Sequence, residues 1–386
     1  TMTQDTQIEI QEFKHQPIKG AKIIIIGVGG GGSNMVTHLY SRNTHKDLTL
    51  IIANTDNQHL HACPVPNKIQ LGERLTGGLG AGADDEVGKK AALESADEIK
   101  QKLEGADMVI LCVGLGGGTG TGAAPVIAQI AKDMGALTVS ISTKPFVFEG
   151  LKRAKTAARG FDELSKASDS NIVVPNDKIL STIGRATGYR ESYSHVDEIL
   201  ARAASGISSV ILGCGTADMN VDFADLRKVM QCRGLALMGV GEGAGENSCI
   251  DALRNAIESP LFDNLSINGA KGIIINFEMN PDFPLMQITE AMQYVYEVAD
   301  SEADVIMGTR TDEEIPVDSM RVTVIATGFE KTIATPKSAA KPQEAQKPAT
   351  KPQEAVLPDI FRQLAVGGEE VSVDYDKPAW ERNKMD

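Results

Sequence analysis

The chain has 386 residues, a formal net charge of −14 at pH 7, and a composition that is 42% hydrophobic and 4% aromatic. This length accommodates two domains with a sizeable core. An acidic chain with few aromatic side chains is not expected to have nucleic acid as its main partner, because it lacks the basic patches and stacking surfaces that such binding requires.

The N-terminal residues and the cysteines indicate the compartment in which the protein works. Residues 1–20 are polar and mixed in charge, which predicts a flexible tail and not a signal peptide. No apolar run reaches the ~18–20 residues of a membrane-spanning helix. The five cysteines and six histidines show neither paired nor ligand spacing, so we predict no disulfide and no protein metal site, and we interpret His59 and His61 as surface residues. We expect a soluble cytoplasmic protein.

The first glycine-rich segment follows an apolar, β-branched strand at residues 22–26. Residues 27–32 match the dinucleotide fingerprint G-x-G-x-x-G, and a helix is predicted from Met35. The second strand, 48–53, is followed by Asp56, where a Rossmann fold places the acid that binds a ribose. A Rossmann-type dinucleotide-binding oxidoreductase is therefore one interpretation of this part of the chain.

Two more glycine-rich segments distinguish this chain from a simple Rossmann protein. Residues 77–82 precede a helix predicted at 86–103, and residues 116–122 connect a strand at 108–113 to a helix at 123–134. Glycine lets backbone N–H groups approach an anion closely, and a helix N-terminus adds a favourable dipole. Three such segments at strand ends indicate a site for a chain of phosphates.

Further apolar strands at 137–142 and 171–174 continue the alternation of strands and helices. This pattern predicts an α/β fold with a doubly wound, mostly parallel sheet, in which ligands bind at the carboxyl ends of the strands. A long amphipathic helix is predicted at 190–212. Residues 213–330 are predicted to form a second, smaller mixed α/β domain.

The glycine-rich segments carry a resemblance to a known family. No Walker motif G-x-x-x-x-G-K-[ST] occurs, so a bound nucleoside triphosphate would be held without a Walker lysine. Residues 116–122, GGGTGTG, match the signature loop of the tubulin/FtsZ superfamily without a mismatch. The further matching segments are 27–34, 54–56, 78–83, 143–146, 148–150, 175–178 and 220–225. From about residue 21 to residue 328 the chain resembles the FtsZ family of bacterial cell-division GTPases.

The resemblance implies a site for GTP or GDP with Mg²⁺. The glycine loops would bind the phosphates, with hydroxyl donors from Thr119 and Thr121 and with residues 81–83 closing over the γ-phosphate. Glu149 and Arg153 would meet the ribose. The implied nucleotide-binding residues are Gly29, Gly30, Gly31, Gly32, Asn34, Ala81, Gly82, Ala83, Gly116, Gly117, Gly118, Thr119, Gly120, Thr121, Gly122, Glu149, Arg153, Asn176, Tyr193 and Asp197.

Within that set, the resemblance implies that Asn34, Asn176 and Asp197 read the guanine base and that Tyr193 stacks on it. The chemistry of Asp197 agrees with this role, because a carboxylate accepts from both N1–H and the 2-amino group of guanine, a pair of donors that adenine does not offer. An acid early in a helix also complements the helix dipole, so Asp197 has a structural explanation as well.

Asp222 and Asp225 allow two interpretations. From the residues alone, Asp222 is suited to cap a helix that follows it, with Asp225 three residues on. The resemblance implies instead that these acids, assisted by Asn220, enter the nucleotide pocket of the next subunit and position the water that attacks the γ-phosphate. Hydrolysis would then require assembly, and an unclosed head-to-tail contact of the chain with itself gives an open filament.

Composition changes after about residue 330. Residues 331–372 begin with a tract rich in Ala, Pro, Lys and Gln, which predicts a disordered linker. Residues 373–386 resemble the family's C-terminal docking peptide, with Trp380 where phenylalanine is usual and Glu381 where an apolar residue is usual. The resemblance implies partners that tether the division ring to the membrane, FtsA- or ZipA-like.

The predicted organisation has six parts: a flexible tail at 1–20, a GTP-binding domain at 21–189, a central helix at 190–212, a C-terminal activating domain at 213–330, a linker at 331–372 and a docking peptide at 373–386. The implied function is GTP-dependent assembly into filaments of the cytokinetic ring at the mid-cell division site. The alternatives are the oxidoreductase and a divergent family member that binds GTP but assembles weakly.

Overall fold

The computed structural model describes residues 21–42, 48–181, 183–184, 186–212, 222–232, 235–262 and 266–329, without the side chains of residues 209 and 210. All of these residues belong to the first of the two units into which the chain divides, residues 1–332. The predicted N-terminal tail, the linker, the docking peptide and Asn220 lie outside the described residues.

In the part of the chain that the structure describes, ten strands form one sheet in the order β3-β2-β1-β4-β5-β6-β7-β10-β8-β9. In chain order the strands are β1 (Ile23–Val28), β2 (Leu48–Asn54), β3 (Asn67–Gln70), β4 (Met108–Gly114), β5 (Leu137–Lys144), β6 (Ser170–Pro175), β7 (Leu235–Ala244), β8 (Gly272–Met279), β9 (Asp304–Thr311) and β10 (Ser319–Phe329). Only β10 runs antiparallel to its neighbours β7 and β8, so the sheet is mostly parallel.

Helices connect the strands. In chain order they are α1 (Gly29–Ser41), α2 (Asn57–Ala62), α3 (Glu73–Thr76), α4 (Asp85–Glu94), α5 (Ala96–Leu103), α6 (Thr119–Asp133), α7 (Leu151–Ala167), α8 (Asn176–Leu180), α9 (Tyr189–Leu212), α10 (Phe223–Met230), α11 (Ser248–Ile257) and α12 (Leu285–Val298). Short 3₁₀ helices occur at Val147–Glu149, Pro260–Phe262 and Ile267–Gly269. No helix in the described part of the chain is long and apolar enough to cross a membrane.

The chain reverses its direction of travel across the sheet between β1 and β4. From β1 it moves outward through β2 to β3, and it then returns to pair β4 with the free side of β1 and continues to β5 and β6. In doubly wound sheets, ligands bind in the crevice at the carboxyl ends of the two strands that flank such a reversal. The glycine-rich segments after β1 and β4 lie at this crevice.

The parallel strands are buried on both faces, which explains why they read as continuous apolar runs. Along β1, Ile23 and Ile25 pack in one core while Ile24 and Ile26 pack in the other. The first core includes α9 residues and reaches strands β8, β9 and β10, whereas a third core lies between those strands and helices α11 and α12. The predicted doubly wound α/β fold is confirmed, and its domain boundaries stay predictions.

The helix boundaries differ from the prediction at three places. Helices α1 and α6 begin inside the glycine-rich segments, at Gly29 and Thr119, because those segments form the first helical turns themselves. The helix predicted at 86–103 is two helices that meet at Ser95, whose hydroxyl accepts a hydrogen bond from the Gly72 N–H (3.0 Å). The glycine-rich segment at 77–82 follows helix α3 and not a strand.

Candidate functional site

A cavity of about 390 Å³ opens at the reversal between β1 and β4, a volume within the range of small-molecule sites. We call it the switch-point cavity. Its lining residues are Gly30, Gly31, Asn34, Met35, Gly114, Leu115, Gly117, Gly118, Thr119, Gly120, Thr143, Pro145, Glu149, Arg153, Asn176, Tyr189, Tyr193, Val196 and Asp197. The two glycine-rich segments, the 3₁₀ helix and the first turns of α8 and α9 therefore meet around one space.

Most of the site residues that the sequence predicted line this cavity. Those that do so are Gly30, Gly31, Asn34, Gly117, Gly118, Thr119, Gly120, Glu149, Arg153, Asn176, Tyr193 and Asp197. Those that do not are Gly29, Gly32, Ala81, Gly82, Ala83, Gly116, Thr121 and Gly122. Several residues of the second group support the cavity from behind or beside it.

The two glycine-rich segments touch each other through their backbones. Gly29 has φ +74°, and a Cβ at this position would lie 2.8 Å from the backbone nitrogen of Gly120. A Cβ on Gly122 would overlap the carbonyl oxygen of Asp85, so this glycine is needed where α6 crosses α4. In contrast, Gly30 and Gly117 face open space, which leaves their backbone accessible to an anion in the cavity.

The two threonines of the signature loop have different roles. The Thr119 hydroxyl lies 2.6 Å from the hydroxyl of the buried Thr55 and lines the cavity. The Thr121 side chain is 1% exposed, and its hydroxyl accepts a hydrogen bond from the Gly116 N–H (2.8 Å). Thr121 therefore braces the loop from inside, and its role as a hydroxyl donor to a nucleotide stays a prediction.

Residues 81–83 lie beside the loop and not on the cavity wall. A Cβ on Gly118 would come within 2.9 Å of the Cβ of Ala81, so the two segments are in close contact. Ala83 has φ +62° and is the one non-glycine residue with positive φ in the described ranges. Backbone in this region costs an alanine about 1–2 kcal/mol, so the segment holds a strained conformation next to Gly118.

The far end of the cavity carries an acid and an unpaired amide oxygen. Burial raises the pKa of the Asp197 carboxyl to about 7. The Oδ1 atom of Asn176 is buried without a hydrogen-bond partner among the described residues. A ligand that donates hydrogen bonds at this end would satisfy the Asn176 oxygen and stabilise the Asp197 carboxylate.

Aromatic rings border the same end. Tyr193 packs edge-on against Phe146, with ring centroids 5.3 Å apart, and lies 4.9 Å from the ring of Tyr189. Tyr189 is 75% exposed although it lines the cavity. An exposed ring at a cavity mouth is available to stack on a planar ligand.

Glu149 and Arg153 form an ion pair on the side of the cavity. The second carboxylate oxygen of Glu149 accepts a hydrogen bond from the Phe146 N–H (2.9 Å), which closes the 3₁₀ turn. The pair therefore combines a fixed carboxylate with a guanidinium that is half exposed and able to reach a ligand.

Sequence reasoning missed several residues at the cavity and misjudged one behind it. Tyr189 lies one helical turn before Tyr193, and that spacing could have identified it. Thr143, near the end of β5, and Pro145, just after it, lie in the matching segment 143–146, which could have identified them. His59, interpreted from the sequence as a surface residue, is partly buried, and its Nε2 lies 3.2 Å from Asn34 Oδ1.

Asp222 and Asp225 are not among the residues that line the cavity. Asp222 caps α10 by accepting a hydrogen bond from the Ala224 N–H (3.1 Å), and Asp225 follows in the first turn. On the same helix, Arg227 donates to the Gly135 carbonyl oxygen (3.4 Å), just beyond the C-terminal end of α6. Helix α6 has 15 residues and so spans about 22 Å, with the signature loop at its other end.

Comparison with known proteins decides the family. Residues 22–184 match the GTPase domain of the Tubulin/FtsZ family, and residues 234–330 match the FtsZ family C-terminal domain. The chain is 51% identical over 338 residues to the cell division protein FtsZ of Helicobacter pylori strain J99, a match that covers 86% of this chain and 87% of that protein. The chain belongs to the FtsZ family.

Solved structures agree with this membership. An FtsZ dimer from M. jannaschii superimposes with a TM-score of 0.76 at 39% identity, covering 80% of this chain and 89% of that one. CetZ2 from Haloferax volcanii superimposes with a TM-score of 0.67 at 22% identity, covering 80% of this chain and 94% of that one, and it shares the fold.

The oxidoreductase interpretation is wrong, and the structure explains what misled it. Asp56, the supposed ribose-binding acid, accepts hydrogen bonds from the Gln58 and His59 N–H groups as the N-cap of α2. It does not line the switch-point cavity. In this FtsZ-family chain the acid after the second strand starts a helix, and the fingerprint at 27–32 contributes half of a larger site.

Proposed function

We propose that this FtsZ-family GTPase binds GTP in the switch-point cavity and hydrolyses it where two subunits stack head to tail. Repetition of that contact gives a filament, and the filaments form the cytokinetic ring of a dividing cell, in the cytoplasm at mid-cell. The Helicobacter pylori relative is a cell division protein, and the M. jannaschii relative forms a dimer, which supports both parts of the proposal.

One observation carries the two-subunit site. Asp222 and Asp225 lie on the helix that contacts the C-terminal end of α6, whereas the signature loop forms its N-terminal end. Because α6 is a rigid rod of about 22 Å, these carboxylates cannot reach the phosphates of their own chain. Stacking a second subunit end to end would bring the acids of one chain to the cavity of the next.

Within the proposed site the chain's own groups have separate tasks. Backbone N–H groups at Gly30 and Gly117 and the N-terminus of α6 would hold phosphate oxygens, and Thr119 would add a hydroxyl donor. At the other end, Asp197 and Asn176 would accept hydrogen bonds from the N1–H and 2-amino groups of guanine. The buried Asn176 oxygen without a partner and the half-buried Asp197 carboxyl favour a ligand with several donors.

The acids of the neighbouring subunit would act on water. Asp222 and Asp225, with Asn220 beside them, would orient a water molecule in line with the γ-phosphate and accept its proton as the bond forms. Catalysis would consist mainly of positioning and charge stabilisation, because phosphoryl transfer leaves little covalent chemistry to the protein.

We propose that Mg²⁺ binds together with the phosphates of the nucleotide. In the described ranges no group of three or more His, Cys, Asp or Glu side chains could hold a metal ion by itself. A cation bound here would take its ligands from phosphate oxygens and water, the oxygen coordination that Mg²⁺ prefers. Bound there, it would neutralise charge on the γ-phosphate.

The experiment is phosphate release from GTP as a function of protein concentration, with the Asp222→Asn variant beside the native chain. Asparagine caps a helix as well as aspartate does, so this substitution removes the carboxylate and keeps α10. Asp251→Asn, an exposed acid in the first turn of α11, is the matched control. GDP affinity is measured for all three proteins.

The native specific rate should rise above a threshold concentration, and Asp222→Asn should lose hydrolysis while it retains GDP affinity. Asp251→Asn should behave as the native chain. A rate that does not depend on concentration, or full activity in Asp222→Asn, would leave Asp222 with its capping role alone. GDP binding by the native chain with little hydrolysis at any concentration would instead identify the weakly assembling family member.

The membrane tether forms a separate part of the proposal. Residues 373–386 would dock onto an FtsA- or ZipA-like partner, with Trp380 as the apolar anchor. Affinity capture of either partner by the full chain, and its loss when residues 373–386 are deleted, would support this docking. Equal capture of the partner by the full chain and by the chain without residues 373–386 would place the contact elsewhere.

A further inference from the structure

His59 of α2 connects the cavity residue Asn34 to the end of strand β2. Its Nε2 lies 3.2 Å from the Oδ1 of Asn34, and its Nδ1 lies 3.3 Å from the Nδ2 of Asn54. Asn34 lines the switch-point cavity, whereas Asn54 is 4% exposed behind it. One imidazole ring therefore joins a fixed, buried amide to an amide that faces the ligand site.

The orientation of the Asn54 amide is fixed from the other side. Its Oδ1 accepts hydrogen bonds from the backbone N–H of Thr55 (2.9 Å) and of Asp56 (3.4 Å). The Nδ2 group must then point to His59 and donate to it. The Cys63 thiol, a weak donor, lies 3.9 Å from the same ring nitrogen.

This arrangement determines the tautomer of His59. Because Nδ1 faces donors, it acts as an acceptor, and in the neutral ring the proton resides on Nε2. Nε2–H then donates to Asn34, which must present its oxygen to the ring. The Nδ2 group of Asn34 is left to donate into the cavity.

We infer that His59 is a positioning residue, which turns the amide of Asn34 so that it offers hydrogen-bond donors to the bound nucleotide. The inference rests on the proposed function, since it takes the cavity as the nucleotide site. It makes Asn34 a hydrogen-bond donor toward the ligand. Its partner on the nucleotide is then an acceptor: a ring nitrogen of the base, or an oxygen of the base carbonyl, the ribose or a phosphate. Without His59, the amide is free to rotate and presents the donor only part of the time.

The test measures GDP affinity of the full chain, in which substitutions at His59 retain or remove the Nε2 donor. Glutamine places its amide nitrogen near the position of Nε2, whereas asparagine places it near Nδ1. His59→Gln should bind GDP within about two-fold of the native chain, and His59→Asn should bind about three- to ten-fold more weakly, the range expected for one lost hydrogen bond. His61→Asn is the matched control, because that ring contacts only the Asn57 carbonyl of α2 among the described residues (2.8 Å).

A double-mutant cycle separates positioning from a general loss of structure. In an Asn34→Ala background, His59→Asn should cause no further loss of affinity, because the amide that it positions is absent. The same loss in both backgrounds, or equal affinities of His59→Gln and His59→Asn, would overturn the inference. Absence of GDP binding by the native chain would overturn the proposed function as well, so the two failures are distinguishable.

Discussion

Arg202 of α9 donates to Glu242 of β7 across a distance of 2.8 Å. The same guanidinium lies 2.8 Å from Glu198, one turn earlier on α9, and Glu198 in turn pairs with Arg42 beyond the end of α1 at 2.8 Å. These charges connect the first helix, the central helix and the seventh strand. Because only 21% of the Arg202 side chain is exposed, the pairs are shielded from solvent more than surface ion pairs are.

Substitution of Arg202 should therefore destabilise the fold. Arg202→Met leaves Glu198 and Glu242 without this partner, and we expect a loss of about 1–3 kcal/mol in the free energy of unfolding. Urea denaturation of the unassembled protein measures the change. Arg321→Met, which removes a more exposed cation 3.6 Å from Glu242, should cost less than about 1 kcal/mol. Equal losses would contradict the distinction.

The pKa of Asp197 predicts how nucleotide binding depends on pH. Burial raises this pKa to about 7 in the free protein, and the proposed guanine contacts require the carboxylate. GDP affinity should therefore fall about ten-fold for each pH unit below 7 and level off above it. Titration of GDP affinity from pH 5.5 to pH 8.5 tests this, and Asp197→Asn should bind weakly with no such slope.

The same carboxyl should lower the stability of the nucleotide-free protein at neutral pH. Its pKa is raised in the folded state, so its contribution to stability is fully present below the unfolded pKa of about 4 and is lost as pH rises through about 7. Asp197→Asn should melt at a higher temperature than the native chain at pH 8 and show a smaller difference at pH 5. Equal differences at both pH values would argue against this titration.

The buried hydroxyl of Thr121 should contribute to stability more than to binding. Thr121→Val leaves the buried Gly116 N–H without its acceptor, at a cost of about 1–3 kcal/mol. Thr289→Val, at an exposed position on α12, should change stability by less than about 0.5 kcal/mol. Thermal denaturation of both variants provides the comparison, and an unchanged Thr121→Val would remove its bracing role.

Adjacent residues in the segment beside Gly118 should respond in opposite directions to substitution. Gly82 has φ +59° with open space around it, so Gly82→Ala should destabilise by about 1 kcal/mol through backbone strain alone. Ala83→Gly relieves strain of the same kind and should stabilise by up to about 1 kcal/mol after the entropy of the unfolded glycine is included. Chemical denaturation of the two variants measures the sign of each change in the free energy of unfolding.

Most strands of the parallel part of the sheet were predictable because their own residues favour a buried strand. β1, β4 and β5 are apolar, β-branched runs buried on both faces, and such runs have few other structures open to them. β3 (Asn67–Gln70) was missed because its four residues are mostly polar and gain strand geometry from pairing with β2. The break at Ser95 depends on Gly72, a partner that no local pattern reveals.

The site was predictable in part for a related reason. Glycine spacing located the phosphate loops, since close backbone approach demands that residue type. Which threonine lines the cavity depends on packing between loops, so the glycine spacing alone does not reveal that the Thr121 hydroxyl accepts a hydrogen bond from Gly116. The contact of His59 with Asn34 joins residues 25 positions apart through their side chains. No spacing pattern in a single sequence predicts that these two residues are close.

The placement of two functional parts at opposite ends of α6 has a consequence for growth. In the proposed filament, every subunit points the same way, so one tip presents an open nucleotide cavity and the other presents the α10 acids. The two tips are chemically different: GTP occupancy at the first tip is set by exchange with solution, whereas the second tip carries its acids without a nucleotide to act on. Subunit addition and loss should therefore proceed at unequal rates at the two tips. The filament is polar because helix α6 separates the nucleotide cavity from the α10 acids in every subunit.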